Sequence, residues 1–467
     1  MTFAAEGSRG GLALMRRLID RYYLLLMALL ALGTLVLNYR ACCQGGIFPD
    51  FEDLRDVIRS GFDGTQATRR GSLSYPMWGY AWVLLLTGSK PALLLMQNAL
   101  MLLAAGYWVR VLSRTGTLAA GQLTVLRALL AISVPWFAFH SVKFEGGIAA
   151  SFMLLGTAFL AESLHGGLVL TGRLLLSALM FGISANFRSD GLLAPLVFSP
   201  LLLVVTRFRL RAVIATLVWL GSSIALLIPW GLYTRHVTGH FLLTSTNGGL
   251  VSVIGFGTNP GNRWGIAIDD DDPVVRGWLV EHFGRDELPW SVAGDRYLKR
   301  RFRQMICESP TEYARRIALV LGEHVVQGIY PGEFYRCLAE SPEDSVERYL
   351  AMRRQAVHQP LRLVRDEPGQ VSIVLLQLAS SLMGRGVVLL SFILLPAVAV
   401  HAVRRRNVVL LLVLTAIVYR ALVLALLAFA DGRLTTAAYP FHLVNLVVGL
   451  FLVGQVAGRL LRRRRAL

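Results

Sequence analysis

Charge is what this sequence has least of. Asp, Glu, Lys and Arg together make up 16% of its 467 residues, against about a quarter in soluble domains. Hydrophobic residues make up 55%, and the mean hydropathy is +0.55. So little polar surface cannot cover a chain of this length in water, which excludes an ordinary soluble protein. The excess apolar surface must face lipid, and the composition therefore predicts a polytopic membrane protein.

Lysine is also scarce, so the formal net charge of +18 is carried almost entirely by arginine. The arginines do not form one basic face interleaved with aromatic residues, which excludes nucleic acid as a partner. They stand in short runs at the ends of apolar stretches, as the positive-inside rule expects of cytoplasmic loops. An arginine-rich composition indicates a GC-rich bacterial genome. The expected location is the bacterial cytoplasmic (inner) membrane.

Cysteine is rare, and none of the four cysteines has metal-ligand spacing. Cys307 and Cys337 are expected to be unpaired and buried, with a disulfide between them as the alternative in an oxidising compartment. A cleavage pattern is missing as well. The first apolar run ends at residues 38–40 without the small residues of a signal-peptide site, so we expect it to be retained as an anchor.

Ten apolar stretches approach the length of about 20 residues that a helix needs to cross a bilayer. Their inner ends carry arginine in every case, which places both termini in the cytoplasm. The fold class is therefore an all-α polytopic membrane protein with about ten transmembrane helices, within a range of 8–12. The stretches are residues 18–37, 91–111, 123–139, 146–160, 174–186, 192–205, 212–233, 387–403, 408–429 and 441–456.

The hydropathy pattern divides the chain into three parts. Residues 1–233 form an amino-terminal transmembrane module with a first outer loop over 38–90. Residues 234–370 are far more polar and predict a mixed loop region on the outer face, and residues 371–467 return to transmembrane helices. No internal repeat of the kind found in many transporters is visible.

Two short apolar stretches near the end of the polar region are harder to place. Residues 317–330 contain Glu323 and His324 and are too short to span with ease, so they predict an interfacial helix. Residues 371–383 predict a second interfacial or re-entrant segment.

Several features of the outer region have plain structural explanations. In the acidic run 269–272, Asp272 stands before Pro273 and a helical pattern, which favours helix capping over metal binding. The histidines show no paired spacing, so a metal site is not expected. The glycine-rich stretch 257–265 lacks the Lys-Ser/Thr of a nucleotide-binding loop and predicts a turn-rich wall.

The first outer loop carries Asp50, Glu52 and Asp53 shortly after the first span. A helical pattern follows over residues 54–59, and a carboxylate at a helix start caps free N–H groups. Capping accounts for Asp53, but it does not require the other two. Tyr75, before the second span, predicts a second wall of the same pocket.

An Asp-x-Glu in the first outer loop, followed by a helical stretch and Tyr75-Pro76, resembles the glycosyltransferase C superfamily. The pattern is more closely similar to its protein O-mannosyltransferase and aminoarabinose-transferase branch, glycosyltransferase family 39. Phe-Arg-Ser-Asp-Gly around Arg188 and Tyr439-Pro440 before the last span agree with it. The last outer loop departs from the family, because Arg433 is followed by Leu where many members have Tyr.

The resemblance implies an inverting glycosyltransferase that acts at the outer face. It would move a sugar from a polyprenyl-phosphate donor to a hydroxyl of a glycan, lipid or protein acceptor. Asp50 would be the general base, with Glu52 as its support. An arginine would hold the lipid phosphate, Arg433 first and Arg188 second. No cofactor is expected, and although the family includes members with and without a divalent metal, the single carboxylate cluster favours none. The further residues implied in substrate binding are Asp53, Tyr75, Glu145 and Tyr439.

Other interpretations of these residues stay open. Arg188 and Arg433 can simply mark interfaces, with Asp190 and Asp431 as ion-pair partners, and Glu145 can pair with nearby Lys143. Two other function classes also fit a chain with many spans. A solute transporter or lipid flippase would bind substrate through charged residues within its spans. An envelope glycan polymerase or ligase would use a polyprenyl-diphosphate donor, without a required carboxylate after the first span.

Overall fold

A computed structural model describes residues 3–43, 79, 83, 86–141, 145–168, 171–329, 332, 334–339, 342–429 and 435–466 of this chain. Over these residues the structure consists of helices and loops and contains no strand, which confirms the all-α prediction. The helices up to the polar region are α1 (Phe3–Cys43), α2 (Lys90–Arg114), α3 (Ala120–Ala131), α4 (Val134–His140), α5 (Glu145–His165), α6 (Gly172–Phe187), α7 (Leu193–Val205), α8 (Leu210–Ala225) and α9 (Ile228–Thr238).

The remaining helices belong to the polar region and to the carboxy-terminal spans. Short 3-10 turns lie between some of the helices, as at Ser189–Leu192 after α6 and Thr436–Ala438 before the last helix. The helices are α10 (Gly248–Ile254), α11 (Pro273–Phe283), α12 (Val292–Glu308), α13 (Pro310–Gln327), α14 (Pro342–His358), α15 (Pro360–Asp366), α16 (Pro368–Arg405), α17 (Val408–Leu427) and α18 (Tyr439–Ala466).

Side chains in the loops begin several of these helices. The Thr171 hydroxyl accepts a hydrogen bond from the backbone N–H of Leu174 at the start of α6. Asn407 does the same for Leu410 at the start of α17, at 3.0 Å. Such caps satisfy N–H groups that have no partner within the helix.

The number of spans agrees only in part with the prediction. Among the described residues, seven helices are long and apolar enough to cross a membrane, or eight if α3 and α4, bent by 53°, form one span. The predicted spans at 174–186 and 192–205 correspond to α6 and α7, which have 16 and 13 residues. At 1.5 Å per residue these helices are shorter than the hydrocarbon thickness of about 30 Å. The count of ten is therefore not confirmed.

One sequence prediction about the carboxy-terminal part is wrong. Residues 371–383 do not form a separate interfacial or re-entrant segment, because they belong to the continuous 38-residue helix α16. No breaker residue interrupts the chain between Gly369 and Pro396 beyond single glycines, so the helix continues. At about 57 Å, α16 is longer than a bilayer core and extends beyond it.

The expected inner ends of the spans are joined by ion pairs, one of them centred on the buried carboxylate of Glu162. Glu162, near the end of α5, accepts a hydrogen bond from the Tyr107 hydroxyl at 2.8 Å. The same carboxylate pairs with Arg114 of α2 at 3.4 Å and Arg173 of α6 at 3.3 Å. Because three helix ends share one carboxylate, they lie on one side of the membrane, as the arginine pattern requires. Asp20 of α1 is similarly paired with Arg127 of α3.

The polar region folds into a small helical unit with its own core. Phe256, Leu279, Leu298 and Met305, from α10–α12 and the turn after α10, pack together there. The carboxylate of Asp272 accepts hydrogen bonds from the N–H groups of Val275 at 2.9 Å and Ala267 at 2.8 Å, which confirms its prediction as a helix cap. Cys307 is a free cysteine, as expected, but the expectation that it is buried is wrong, because it lies on the exposed face of α12.

Arg316 of α13 bonds this helical unit to the end of the membrane helix α17. Its side chain is fully buried, and its guanidinium donates hydrogen bonds to the carbonyl oxygens of Leu426 and Ala428. Those carbonyls belong to the end of α17, where no helical N–H remains to bond them. The guanidinium also lies over the ring of Phe256, 5.2 Å from its centroid. A cation at a helix carboxyl end is further favoured by the helix dipole.

We expect Arg316→Ala to lower the free energy of unfolding by about 2 to 4 kcal/mol, because two charge-assisted hydrogen bonds and a cation–π contact are lost together. Arg315→Ala is the matched control, since Arg315 is the exposed neighbour on the same helix, and it should change the free energy by less than about 0.5 kcal/mol. Thermal unfolding of the detergent-purified variants measures both. Equal effects of the two substitutions would contradict the role given to Arg316.

Candidate functional site

Most of the residues predicted from the first and last outer loops lie outside the described residues. These are Asp50, Glu52, Asp53, Tyr75 and Arg433. Glu145 is described only as the first residue of α5. Of the predicted site, the structure therefore places the side chains of Arg188 and Tyr439.

Arg188 lines a narrow pocket with a cavity volume of about 10 Å³, which is room for about one water molecule. The pocket lies between α5, the end of α6, α17 and the turn before α18. Gly146, which follows Glu145, and Ala437, which precedes Tyr439 by two positions, line the same pocket. The fold thus brings three separate stretches of the predicted site to one place. The remaining lining residues are Phe139, Ala149, Ala150, Met153, Ser184, Gly191 and Arg420.

A tight turn at the end of α6 positions Arg188. The residue has extended backbone angles, and its N–H donates a hydrogen bond to the Ser184 carbonyl. The chain then reverses through a 3-10 turn, where the Gly191 N–H donates to the Arg188 carbonyl at 2.9 Å. A Cβ at Gly191 would stand 2.9 Å from the backbone nitrogen of Ala185. Glycine is therefore the residue that allows this close approach.

Arg420 is the pocket residue that sequence reasoning missed. It is the single charged residue in α17, and only 4% of its surface is exposed. It lies about two turns before the helix ends, so the pocket reaches below the outer end of the span. A charged side chain inside a span is a functional signal, because burying its charge in hydrocarbon is unfavourable. That signal is visible in the sequence, but the prediction was based on the carboxylates of the first outer loop and did not include Arg420.

Tyr439 lies in the core. It is fully buried, its ring is 6.4 Å from that of Trp136, and its hydroxyl accepts a hydrogen bond from the Ser133 hydroxyl at 3.4 Å. Tyr439 thus joins α18 to α4, and it is not among the residues that line the pocket. Its predicted part in substrate binding stays a prediction.

A second polar group, which we call the buried histidine cluster, lies between α13, α16 and α18. It consists of His324, Ser391, His442 and Asn445, each with at most 1% of its surface exposed. The His442 Nδ1 is 2.9 Å from the Ser391 hydroxyl, and the Asn445 amide donates to the Ser391 carbonyl at 2.6 Å. The ring centroids of the two histidines are 6.5 Å apart.

Four polar atoms of the buried histidine cluster have no hydrogen-bond partner in the described part of the chain. They are both ring nitrogens of His324, Nε2 of His442 and Oδ1 of Asn445. An unpaired buried donor or acceptor costs about 1 to 3 kcal/mol. Burial, and then the charge of Arg420, lower the pKa of His324 to about 4. Its ring is therefore neutral at neutral pH.

A metal ion would need three or more His, Cys, Asp or Glu side chains close together. Within the described ranges, no three His, Cys, Asp or Glu side chains come close enough together to hold a metal ion. The buried histidine cluster provides two imidazoles, which are fewer ligands than a protein metal site uses.

No protein-family model matches the chain, and no curated protein matches it in sequence. Among solved structures, the chain is similar to an oligosaccharyltransferase from the archaeon Archaeoglobus fulgidus in its apo form, with 11% identity and a TM-score of 0.44. It is similar to the same degree to AglB from that organism in complex with an inhibitory peptide and a dolichol-phosphate, with 12% identity and a TM-score of 0.44. The matches cover 95% and 96% of this chain and 52% of each of those chains. This chain thus spans about half the length of those structures.

Gly191→Ala should lower the free energy of unfolding by about 1 to 3 kcal/mol, because the added methyl group meets the backbone of α6 and the turn behind Arg188 must move. Gly277→Ala is the control with the opposite sign. Nothing lies within 4 Å of a Cβ at this helical position, so the substitution should stabilise the protein by about 0.5 to 1 kcal/mol. Thermal unfolding in detergent measures both, and an unchanged Gly191→Ala protein would contradict the tight turn.

Proposed function

We propose that this protein is an inverting glycosyltransferase at the outer face of the bacterial cytoplasmic membrane. It transfers a sugar from a polyprenyl-phosphate donor to the hydroxyl of a glycan, lipid or protein acceptor. Membership of the glycosyltransferase C superfamily, and of its O-mannosyltransferase and aminoarabinose-transferase branch, is part of the proposal. It rests on the loop motifs around Asp50, Tyr75 and Arg433.

The observation that carries the proposal is the pair of arginines in one pocket. Arg188 stands in the turn after α6, and Arg420 lies inside the span α17. A soluble phosphate compound would not need a cation inside a membrane span. The phosphate of a membrane lipid, in contrast, is kept close to the spans by the lipid tail. The guanidinium is always charged and binds phosphate oxygens in a fork, which suits it to a lipid phosphate.

The reaction assigns a distinct task to each charge. The acceptor oxygen attacks the anomeric carbon, and the bond from that carbon to the phosphate oxygen breaks. The acceptor proton goes to the Asp50 carboxylate, and the electron pair of the broken bond goes to the departing polyprenyl phosphate. Arg188 and Arg420 stabilise the charge that develops on this phosphate, which lowers the barrier more than it strengthens donor binding. Attack opposite the leaving phosphate inverts the anomeric centre.

A transporter of an anionic lipid or solute is the second candidate. The buried charge of Arg420 within α17 favours it, because transporters bind their substrates through charged residues inside spans. The two functions differ in their products. A transferase changes the donor chemically in detergent, where there are no compartments, whereas a transporter moves its substrate across sealed vesicles and leaves it unchanged.

The test uses the purified protein with a panel of polyprenyl-phosphate sugars and membranes from cells that lack the protein as acceptor. We expect one donor to yield labelled product and free polyprenyl phosphate. Asp50→Asn keeps the shape of the side chain but removes the base, so the rate should fall by a factor of about 10² to 10⁴. Asp56→Asn in the same loop is the control and should keep the parental rate.

Arg420→Gln should reduce the transfer rate by a factor of about 10² to 10³, because the leaving phosphate loses a charged hydrogen-bond donor. Arg420→Lys keeps the charge but not the forked guanidinium, so its transfer rate should lie between that of the parent and that of Arg420→Gln. Sugar transfer at the parental rate by Asp50→Asn would overturn the assignment of the base. Transport by sealed vesicles without any change in the donor would overturn the transferase itself.

A further inference from the structure

The last part of α18, beyond Phe451, continues past the start of its neighbour α3. A Cβ at Gly121, in the first turn of α3, would lie 3.8 Å from the Phe451 ring. From that contact α18 runs on to its last residue at 466, about 22 Å further along its axis. Among the described residues, nothing lies within 4 Å of a Cβ at Gly454 or Gly458. The end of α18 therefore has free space beside it.

A cavity with a volume of about 450 Å³ opens along this part of α18. Small-molecule sites usually have about 300 to 1,000 Å³. The cavity is lined by Val456, Arg459, Leu460 and Arg462. Because each residue turns an α-helix by about 100°, Val456 and Leu460 lie on one side of α18, and the two arginines lie on the adjacent side. The cavity thus has an apolar wall beside a cationic wall.

The depth of the two walls in the membrane differs. The apolar helix that forms the last span covers residues Thr436–Arg462, and about 20 residues cross the hydrocarbon. The two arginines therefore stand at the end of the span, where long cationic side chains reach the headgroups. Val456 and Leu460 are more than half exposed, at 56% and 57%, and face the acyl chains. A phospholipid has its polar and apolar parts in the same order.

The charge of the cationic wall selects among phospholipids. Arg114 and Arg127, at the expected inner ends of other spans, are paired with carboxylates. Arg459 and Arg462, in contrast, have no ion pair with a described residue. From Tyr439 to the end of the chain the sequence contains no Asp or Glu. An anionic headgroup is attracted by the two guanidinium groups, whereas the ammonium of a zwitterionic headgroup is repelled and finds no carboxylate on α18.

We propose that the cavity at the end of α18 binds one anionic phospholipid of the adjacent leaflet. Arg459 and Arg462 hold its phosphate oxygens through their guanidinium forks, and an acyl chain lies along Val456 and Leu460. The positive-inside rule explains why arginines stand at this end of the span, but it requires neither a cavity nor an apolar wall beside them. The site lies at the opposite end of α18 from the pocket of Arg188 and is independent of the proposed sugar transfer.

The experiment titrates the delipidated full-length protein in neutral detergent with single phospholipids and counts bound lipid by native mass spectrometry. Dioleoyl phosphatidylglycerol is the anionic probe, dioleoyl phosphatidylethanolamine is the zwitterionic probe, and glycerophosphoglycerol is the anionic headgroup without acyl chains. The parent protein should bind the anionic lipid about tenfold more tightly than the zwitterionic lipid. The double variant Arg459→Gln with Arg462→Gln should weaken the anionic lipid by roughly ten- to thirtyfold, as expected for lost charge-assisted hydrogen bonds. Its binding of the zwitterionic lipid should change by less than about twofold.

Three further variants separate a built site from general attraction. Lysine at both positions 459 and 462 keeps the charges and should retain most of the affinity for the anionic lipid. Val456→Trp keeps both arginines but fills the apolar wall, so it should weaken the same lipid by about threefold or more. The control is Arg404→Gln with Arg405→Gln, which removes two exposed charges at the end of α16. It should bind both lipids like the parent.

A selective loss of the anionic lipid in the glutamine double variant and in Val456→Trp, with the melting temperature of the lipid-free protein unchanged, supports the site. Equal binding of the two lipids by the parent would overturn it, and so would the same loss in the α16 control, since the attraction would then belong to the whole inner surface. If glycerophosphoglycerol binds as tightly as the anionic lipid, the ligand is a soluble phosphate compound and the lipid site is wrong.

Discussion

Inside hydrocarbon, water is absent, so every polar group of the chain needs a partner supplied by the protein or by a ligand. The fold satisfies this requirement at most places in simple ways. Helices pair the backbone groups within each span, Glu162 gathers the tyrosine and arginines of three helix ends, and Arg316 bonds the last carbonyls of α17. Against this background, the region near the ends of α6, α13, α17 and α18 differs, because two arginines and two histidines lie there among apolar helices.

These residues mark the pocket as the candidate functional region. Arg188 is held by a turn that only glycine at 191 allows, and Arg420 lies within a span where a charge is unfavourable. His324 and His442 are packed between helices with ring nitrogens unpaired. A protein can keep such groups when a ligand makes use of them, since apolar residues in the same positions would give a more stable framework.

The candidate site could be predicted in part from sequence, and the reason lies in the distance between its parts. Arg188 was found because it stands in a short recognisable motif at the end of an apolar stretch. Arg420 sits in an apolar run with no local motif around it, His442 follows the Tyr439-Pro440 motif without belonging to it, and His324 shows no paired spacing with another histidine. Their meeting depends on how α13, α16, α17 and α18 pack, and a single sequence does not contain the register of that packing.

By itself, the sequence determined the membrane environment, the all-helical class and the cap at Asp272, because each of these follows from local hydropathy and capping chemistry. Only the tertiary structure decided that residues 371–383 continue into α16, that α6 and α7 are short, and that Cys307 is exposed. It also decided that Arg188 and Arg420 share a pocket. Those features arise from contacts between residues far apart in the chain, and a local sequence pattern does not predict such contacts.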